Sequence, residues 1–359
     1  MHTGFGERLK MARSMAGFSQ QTLADQVGLS KMAISKYENN QMVPGSQALI
    51  ALAKVLGRRI DFFLRGPVEV TLQPVYRSKA ALRNVPKREA VVIAQLQEWI
   101  ERYLAAESLF PPTEIPHFAF PDGFPTRIES LEAVEAAGLA LRHAWDLGDN
   151  PIENMTELLE EQGIKVGLVD GSDDFDACQF QLANGDPVIA VKQDLPGDRQ
   201  RFNLAHELGH LMLDAGPDVD EEKMANRFAG SFLAPAPAVR YELGGKRGRL
   251  DMMELHLLKH RYGLSMQGWA YRARDLGIMD ERAMRTFWKS LNSNGWKKEE
   301  PGDALPSETP QRLTRLVLRA LAEDVISRSR AEELLGMPWP RFAEEQKIAH
   351  GNIPLAVRA

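Results

Sequence analysis

Apolar residues recur at helical spacing over most of this chain and run together or alternate in only a few short stretches. Residues 3–16 set Phe5, Leu9 and Met11 or Ala12 on one side of a helix. Residues 20–27 carry Leu23, Ala24 and Val27, with Ser19 placed to cap the start and Gly28 to end it. Ser30 caps a third helix to about Glu38, with Ala33, Ile34 and Tyr37 inward. Another helix covers residues 46–56, and Asp61 to Leu64 form a closing turn. From Pro67 to Pro86, Val68, Val70, Leu72 and Val75 alternate with turn residues, which predicts an extended arm. Pro86 opens a helix to about Leu109, with Val92, Leu96, Trp99, Ile100 and Tyr103 in register. That stripe is expected to pack on its own chain in preference to a dimer seam. Five prolines between Phe110 and Pro125 mark a linker.

The second half changes character. Residues 129–146 and 152–162 predict amphipathic helices, the latter stopped by Gly163. Three strands follow, at Ile164–Val169, Cys178–Leu182 and Pro187–Val191, the last two joined by the hairpin signal Asn184-Gly185-Asp186. Two helices come next, around residues 201–214 and 220–233, and residues 255–260 read as a packing helix. Leu258 to Leu276 imitates a helix-turn-helix spacing, but without a local charge excess it reads as structural. Pro310 starts a helix to about Asp324, and Ser327 and Gly336 bracket another. The expected fold is mostly α with a small sheet, that is, α+β. An all-α helix-turn-helix domain occupies residues 1–66, and an arm, connecting helix and linker occupy 67–125. An α+β domain spans 126–292. A C-terminal helical tail at 293–359 either docks on that domain or binds a partner.

Charge refines this division. The 359-residue chain carries a net −5, yet residues 1–66 hold nine Lys/Arg against four Asp/Glu. A basic block on an acidic protein predicts a polyanion partner for that block alone. The sole cysteine, Cys178, excludes an internal disulfide framework and fits a reducing cytoplasm. No run of 18 apolar residues and no signal-peptide pattern is present, so a cytoplasmic protein without a membrane partner is expected.

The chemistry concentrates in Arg201 to Asp214, which holds the H-E-x-x-H pattern at His206, Glu207 and His210. On a helix, residues four apart share a face, so the two imidazoles can hold one tetrahedral zinc. Glu207 stands about 100° further round, where it can take a proton from zinc-bound water. Leu204, Leu208 and Leu211 pin the other face to a core. A third ligand is expected on the next helix, where Ala225, Phe228 and Phe232 form the buried stripe. Glu222 and Asn226 border that stripe four residues apart, one placed to ligate and the other to orient a histidine. Glu221 competes with Glu222, and periodicity does not choose between them. This order of helices, small sheet and H-E-x-x-H helix suits a zincin-like fold. The last strand before the zinc helix is a candidate edge for extended substrate. The expected reaction is amide hydrolysis, in which zinc polarises the carbonyl and lowers the pKa of its water towards about 7. An oxyanion donor is also required; Arg201, His143 and Tyr241 are the candidates, none singled out. His256 and His260 are likewise four apart but lack a glutamate after the first.

Two resemblances follow from these residues. Arg-Phe-Asn-Leu-Ala-His-Glu-Leu-Gly-His at 201–210, followed by Ala-Asn-Arg-Phe-Ala at 225–229, resembles the ImmA/IrrE family of zinc metallopeptidases. That resemblance implies His206, His210 and Glu222 as ligands and Glu207 as general base. Members often carry Glu just before the Ala-Asn pair, whereas this chain has Met224. Ser-Gln-Gln-Thr-Leu-Ala, Val-Gly-Leu-Ser and Ile-Ser-Lys-Tyr-Glu-Asn, beginning at Ser19, Val27 and Ile34, resemble the XRE/Cro-type DNA-binding domain. It implies that Lys31, Met32, Ser35 and Lys36 face the major groove of an operator. Gln20, Asn39 and Asn40 would contact phosphates or neighbouring base edges, and the domain would bind as a homodimer. Relatives of the first family cut a transcriptional repressor, so a repressor-type substrate, in trans or in cis, is implied. Similar fusions resemble parts of toxin–antitoxin modules. The alternative is therefore a regulator or antitoxin whose zincin domain senses a toxin or other partner.

Overall fold

The computed structural model describes residues 4–64, 73–74, 86–170 and 175–346. Five helices form the N-terminal module: α1 (Phe5–Met15), α2 (Gln20–Val27), α3 (Lys31–Glu38), α4 (Ser46–Val55) and α5 (Ile60–Leu64). Ser19 and Ser30 each cap their helix, accepting from the Thr22 and Ala33 amides at 3.0 and 3.1 Å. Gly28 takes the left-handed conformation, φ 68°, which ends α2 at low steric cost and opens the turn into α3. Leu9, Leu23, Ile34, Leu52 and Phe63 fill the core between the five helices. The orientation of α3 is further set by buried Glu38, which accepts from Arg13 at 2.5 Å and from Gln20 at 2.7 Å. Gly6 lets α1 lie almost against the end of α3: a Cβ there would sit 2.3 Å from the Glu38 carbonyl oxygen.

Of the arm expected at 67–86, Val68, Val70, Leu72 and Val75 lie outside the described residues. Gln73–Pro74 form a short strand, β1. Helix α6 (Pro86–Glu107) then runs far along the molecule. Its Ala94 joins the N-terminal core, while Val92, Leu96, Ile100 and Tyr103 pack on the sheet. Ala106 near its end joins a third cluster. Ion pairs Arg8–Glu101 at 2.5 Å and Arg58–Glu98 at 3.0 Å tie the N-terminal module to it. The stripe read from the sequence thus packs within its own chain.

After a short 3₁₀ turn at Pro112–Glu114 come β2 (Arg127–Ile128), α7 (Ala133–Ala144), α8 (Met155–Glu161) and β3 (Lys165–Val169). The hairpin of β4 (Ala177–Gln181) and β5 (Pro187–Lys192) follows, with Gly185 at φ 93° in its turn. Sheet order is β1-β4-β5-β3; β3 runs parallel to β5, and both β4 pairings are antiparallel. The expectation that the last strand before the zinc helix is an edge is wrong, because β5 lies between β4 and β3. Its side chains explain the position. Val188 and Ala190 face α6, whereas Ile189 and Val191 enter the main core, so both faces are buried.

The remaining elements are α9 (Gly197–Met212), β6 (Asp214–Ala215), α10 (Glu221–Leu233), α11 (Ala236–Leu243), α12 (Met252–Tyr262), α13 (Met266–Asp275), α14 (Glu281–Ser293), α15 (Arg312–Ala322), α16 (Arg328–Leu335) and α17 (Trp339–Glu345). The main core joins α7 to α14, with Leu204, Leu208, Phe228, Phe232 and Trp269 fully buried. β2 pairs in parallel with β6 and so clamps the exit of α9 to the segment before α7. Helices α15 to α17 pack on the end of α6 through Val317, Ala320, Leu334 and Phe342. The strap before α15 is held by Glu308, which accepts from the Met155 and Thr156 amides at 2.8 and 3.0 Å and pairs with Arg201 at 3.3 Å. Among the described residues no helix is long and apolar enough to cross a membrane.

One buried acid gives this junction a pH dependence. Glu160 is 2% exposed and accepts from the Arg312 amide at 3.1 Å. Burial pushes its carboxyl from 4.5 up to about 7. The fold therefore favours the protonated acid. That contribution is fully present below about pH 4.5 and is lost as pH rises through 7. Glu160→Gln, which keeps the shape of the neutral acid, is expected to raise stability at pH 8 by roughly 3 kcal/mol. Thermal melts of both proteins at pH 5 and pH 8 check this: the gap should open only at pH 8.

Candidate metal centre and nucleic-acid interface

Helix α9 owes its position to Leu204, Leu208 and Met212, all buried, which leave His206 and His210 on the face towards α10. The approach of α10 depends on Gly209. A Cβ there would meet the Phe228 ring at 3.0 Å and the Ala225 Cα at 3.3 Å. Asp220 starts α10 by accepting from the Lys223 amide at 2.9 Å, and this places Glu221 and Glu222 in the first turn.

The result is a convergence of nitrogen and carboxylate atoms. The Nε2 atoms of His206 and His210 face each other at 3.0 Å. Glu222 brings one oxygen to 3.5 Å from His206 Nε2 and the other to 3.7 Å from His210 Nε2. One ligand atom from each of these three residues lies within 4.8 Å of the others. Tetrahedral zinc with bonds of about 2.0–2.2 Å sets neighbouring ligand atoms roughly 3.3–3.5 Å apart, so these residues fit such an ion. Glu221 approaches from another side, 3.6 Å from His210 Nδ1.

Asn226 Oδ1 stands 3.2 Å from His206 Nδ1. A proton donated along that contact leaves Nε2 with its lone pair towards the cluster. Burial, and then the nearby His210, hold His206 down at about 4, so its imidazole is neutral near pH 7. Burial and the Glu222 charge push the Glu207 carboxyl up to about 7. Phe202 borders His206, with ring centroids 6.5 Å apart.

The three oxyanion candidates are not gathered at the cluster. Arg201 is buried, paired with Glu308 and donating to the Ile152 carbonyl. It also lines a separate cavity of about 540 Å³ with Asn154, His260, Pro306 and Glu308. Tyr241 is 82% exposed on α11, and His143 is exposed at the end of α7. The rings of His256 and His260 meet edge to face with centroids 4.6 Å apart, and His260 Nε2 lies 3.2 Å from the Asp303 carbonyl oxygen. No third ligand joins that pair among the described residues.

On the N-terminal module, Lys31, Met32 and Lys36 are exposed along α3 and Ser35 is half-buried beside them. Met32 is 67% exposed, an apolar side chain that the module's own core does not use. Asn39 donates to the Ser35 carbonyl at 2.8 Å. Two residues also serve the fold itself. Gln20 donates to Glu38, and Asn40, at φ 55°, accepts from the Gly6 amide at 2.8 Å.

Comparison with known proteins finds two matched segments, one on each side of α6. A family model described as helix-turn-helix matches residues 9–63, and one described as IrrE N-terminal-like domain matches residues 160–274. The SPbeta prophage-derived uncharacterized HTH-type transcriptional regulator YonR of Bacillus subtilis is 42% identical over 62 residues, covering 17% of this chain and 57% of that protein. Repressor protein C2 of Salmonella phage P22 is 32% identical over 99 residues, 27% of this chain and 45% of that repressor. The chain thus spans about half the length of these curated relatives.

Proposed function

We propose, from a chain that joins a helix-turn-helix segment to an IrrE N-terminal-like one, a cytoplasmic DNA-binding zinc metalloendopeptidase. It regulates transcription by cutting a repressor-type protein, in trans or in cis. The observation that carries this reading is the meeting of His206 Nε2, His210 Nε2 and the Glu222 carboxylate beside Glu207. His206, His210 and Glu222 would hold the ion; the reach of Glu222 to both Nε2 atoms supports it over Glu221. When bound there, zinc supplies Lewis acidity that polarises a carbonyl and acidifies water. Glu207 accepts the proton of the attacking water and returns it to the leaving nitrogen. Asn226 holds His206 in its ligating tautomer. Asn226→Ala is therefore expected to weaken zinc affinity about 10- to 100-fold, measured by competition with a chelating dye. Unchanged affinity would remove Asn226 from this role.

On the N-terminal module, Lys31, Met32, Ser35 and Lys36 read base edges of an operator in the major groove. Gln20, Asn39 and Asn40 flank them, and residues 1–66 act as one unit that dimerises on DNA. The second reading is a regulator or antitoxin whose zincin domain binds a toxin or other partner. The relatives named above favour it, since both are named as transcriptional regulators or repressors. Wild type and Glu207→Gln, each assayed for metal and then incubated with the host's small repressors and with itself, separate the two by intact mass. Zinc in both with a discrete cut only by wild type supports the peptidase. Zinc in both with no cut favours the regulator, and no metal in either overturns the site.

A further inference from the structure

Residues 1–66 are not the only basic stretch of this acidic chain. Residues 240–298 hold thirteen Lys/Arg against six Asp/Glu, a net +7 in a protein of net −5. Part of that charge is neutralised inside the fold. Lys259 pairs with Asp198 and Glu300, Arg261 with Glu242, Arg272 with Glu135 and Arg274 with Asp275. These four are the Lys and Arg of α12 and α13. The excess therefore lies on α14 and on the loop before α12. Arg282, Arg285 and Lys289 are exposed and follow one another at spacings of three and four residues, so they form one stripe. It lies opposite Ala283, Met284, Phe287 and Leu291, which are buried. Among the described residues none of the three is in an ion pair, and Glu281 is the one acid on the helix. Lys297 and Lys298, both exposed, follow its end, with Glu299 after them. Near its start, the Arg247 amide donates to the Ile278 carbonyl at 2.8 Å and so ties the loop 244–250 to the turn before α14. Arg247 itself pairs with Glu254, while its neighbours Lys246 and Arg249 are exposed. Neither Gly245 nor Gly248 in this loop has a positive φ, and a Cβ at either would meet nothing within 4 Å. Packing does not call for glycine there, whereas close approach of the backbone to a bound group does.

We propose that the outer face of α14, with Lys246 and Arg249 beside its start, is a second DNA surface that holds the sugar-phosphate backbone of a duplex without reading its sequence. Charge complementarity carries the assignment. From Arg282 to Lys289 the stripe runs about 10 Å along the helix axis, long enough to meet more than one phosphate. The residues beside it, Thr286, Ser290 and Ser293, are small, polar and exposed, of the kind that joins Arg and Lys on phosphate. None of the large apolar side chains of α14 is exposed. Trp288 is half-buried against Tyr271, over which Arg274 lies 4.9 Å from the ring centroid. A helix lying on a membrane, or the core of a protein interface, needs apolar anchors that this face lacks. The stripe adds sequence-independent affinity to what α3 reads, so the chain also grips DNA that carries no operator. This rests on the DNA-binding part of the proposed function and is independent of the peptidase part.

The test uses the full-length protein and a mixed-sequence duplex of about 30 base pairs, titrated by fluorescence anisotropy between about 50 and 200 mM salt. Arg282→Gln, Arg285→Gln and Lys289→Gln are combined in one variant. The slope of log K against log salt should fall in magnitude by about 2–3, and binding at the low-salt end should weaken at least tenfold. An unchanged slope overturns the proposal, whatever else the stripe binds. Arg282→Lys with Arg285→Lys should retain the wild-type slope, because a backbone phosphate is met by a point charge. A slope that lysine does not preserve overturns the backbone contact. The three positions are exposed, so the glutamine variant should melt like wild type. If it does not, Lys246→Gln with Arg249→Gln carries the test: the slope should fall by about 1–2, and no fall overturns the proposal. Lys31→Gln with Lys36→Gln separates this surface from α3. Binding kept by that variant and lost by the α14 variant supports the second surface and overturns the role of α3; the reverse overturns the second surface alone. A wild-type chain that does not bind the duplex at all overturns both.

Discussion

Glu207→Gln is expected to lower kcat for peptide cleavage by about 10²- to 10⁴-fold while leaving zinc content and KM close to wild type. The substitution keeps the size of the side chain and removes its capacity to hold a proton. The lost rate corresponds to roughly 3–5 kcal/mol of barrier, all of it at the proton-transfer step. Glu207 is not among the three residues whose ligand atoms converge. Its replacement therefore should not empty the site. Steady-state kinetics on the substrate identified by intact mass, together with metal analysis, provide the check. A variant within tenfold of wild type would remove Glu207 as the base. A variant that has lost its zinc would make it a ligand or a structural support.

The largest expected stability loss lies away from the metal, at Arg272. This side chain is 1% exposed and bridges three elements. Its guanidinium clasps Glu135 of α7 with two bonds of 2.6 and 2.9 Å, and its Nε donates to the Ala234 carbonyl at the end of α10 at 3.0 Å. Gly230 makes room for the stem: a Cβ there would come within 2.9 Å of Arg272 Cδ. Arg272→Met retains most of the packing but strands the Glu135 charge, with Arg227 at 3.3 Å as its remaining cation. The expected cost is about 3–5 kcal/mol. A domain of this size should then melt about 10 °C lower. Adding Glu135→Leu should return most of the loss, because a buried pair replaced by apolar groups is close to neutral. Denaturant melts of the two single variants and the double variant measure it. Additive losses in the double variant would show that packing, not the stranded charge, carries the effect.

How far the sequence could be read depended on how local the cause was. Ser19, Gly28 and Ser30 act within one turn of their own positions, and α2 and α3 begin and end where those residues require. The four-residue spacing of His206 and His210 is equally local, and their Nε2 atoms do meet. The pairing of Glu222 with Asn226 on one helix edge also carried through to contacts with His206. Glu221 and Glu222 could not be separated from periodicity, because the difference is which imidazole nitrogen each carboxylate reaches across a helix interface. β2 and β6 are two residues each and have no periodicity to detect. The place of β5 was legible and misread. Its unbroken run Pro187-Val188-Ile189-Ala190-Val191 is what a strand buried on both faces requires, and an edge strand would have shown polar alternation. The burial of Arg201 depends on Glu308, more than a hundred residues away, and nothing near Arg201 announces it.

Helix α6 carries residues of three separate cores along one rod. This has a bearing on how such chains exchange parts by recombination. A crossover at the apparent boundary near residue 66 would bring in a foreign DNA-reading module. It would leave Ala94, Glu98 and Glu101 facing a surface they do not match. The five N-terminal helices together with α6 as far as Glu101 thus form one packed unit, and a hybrid that keeps this packing has its seam inside a helix, not in the arm that precedes it.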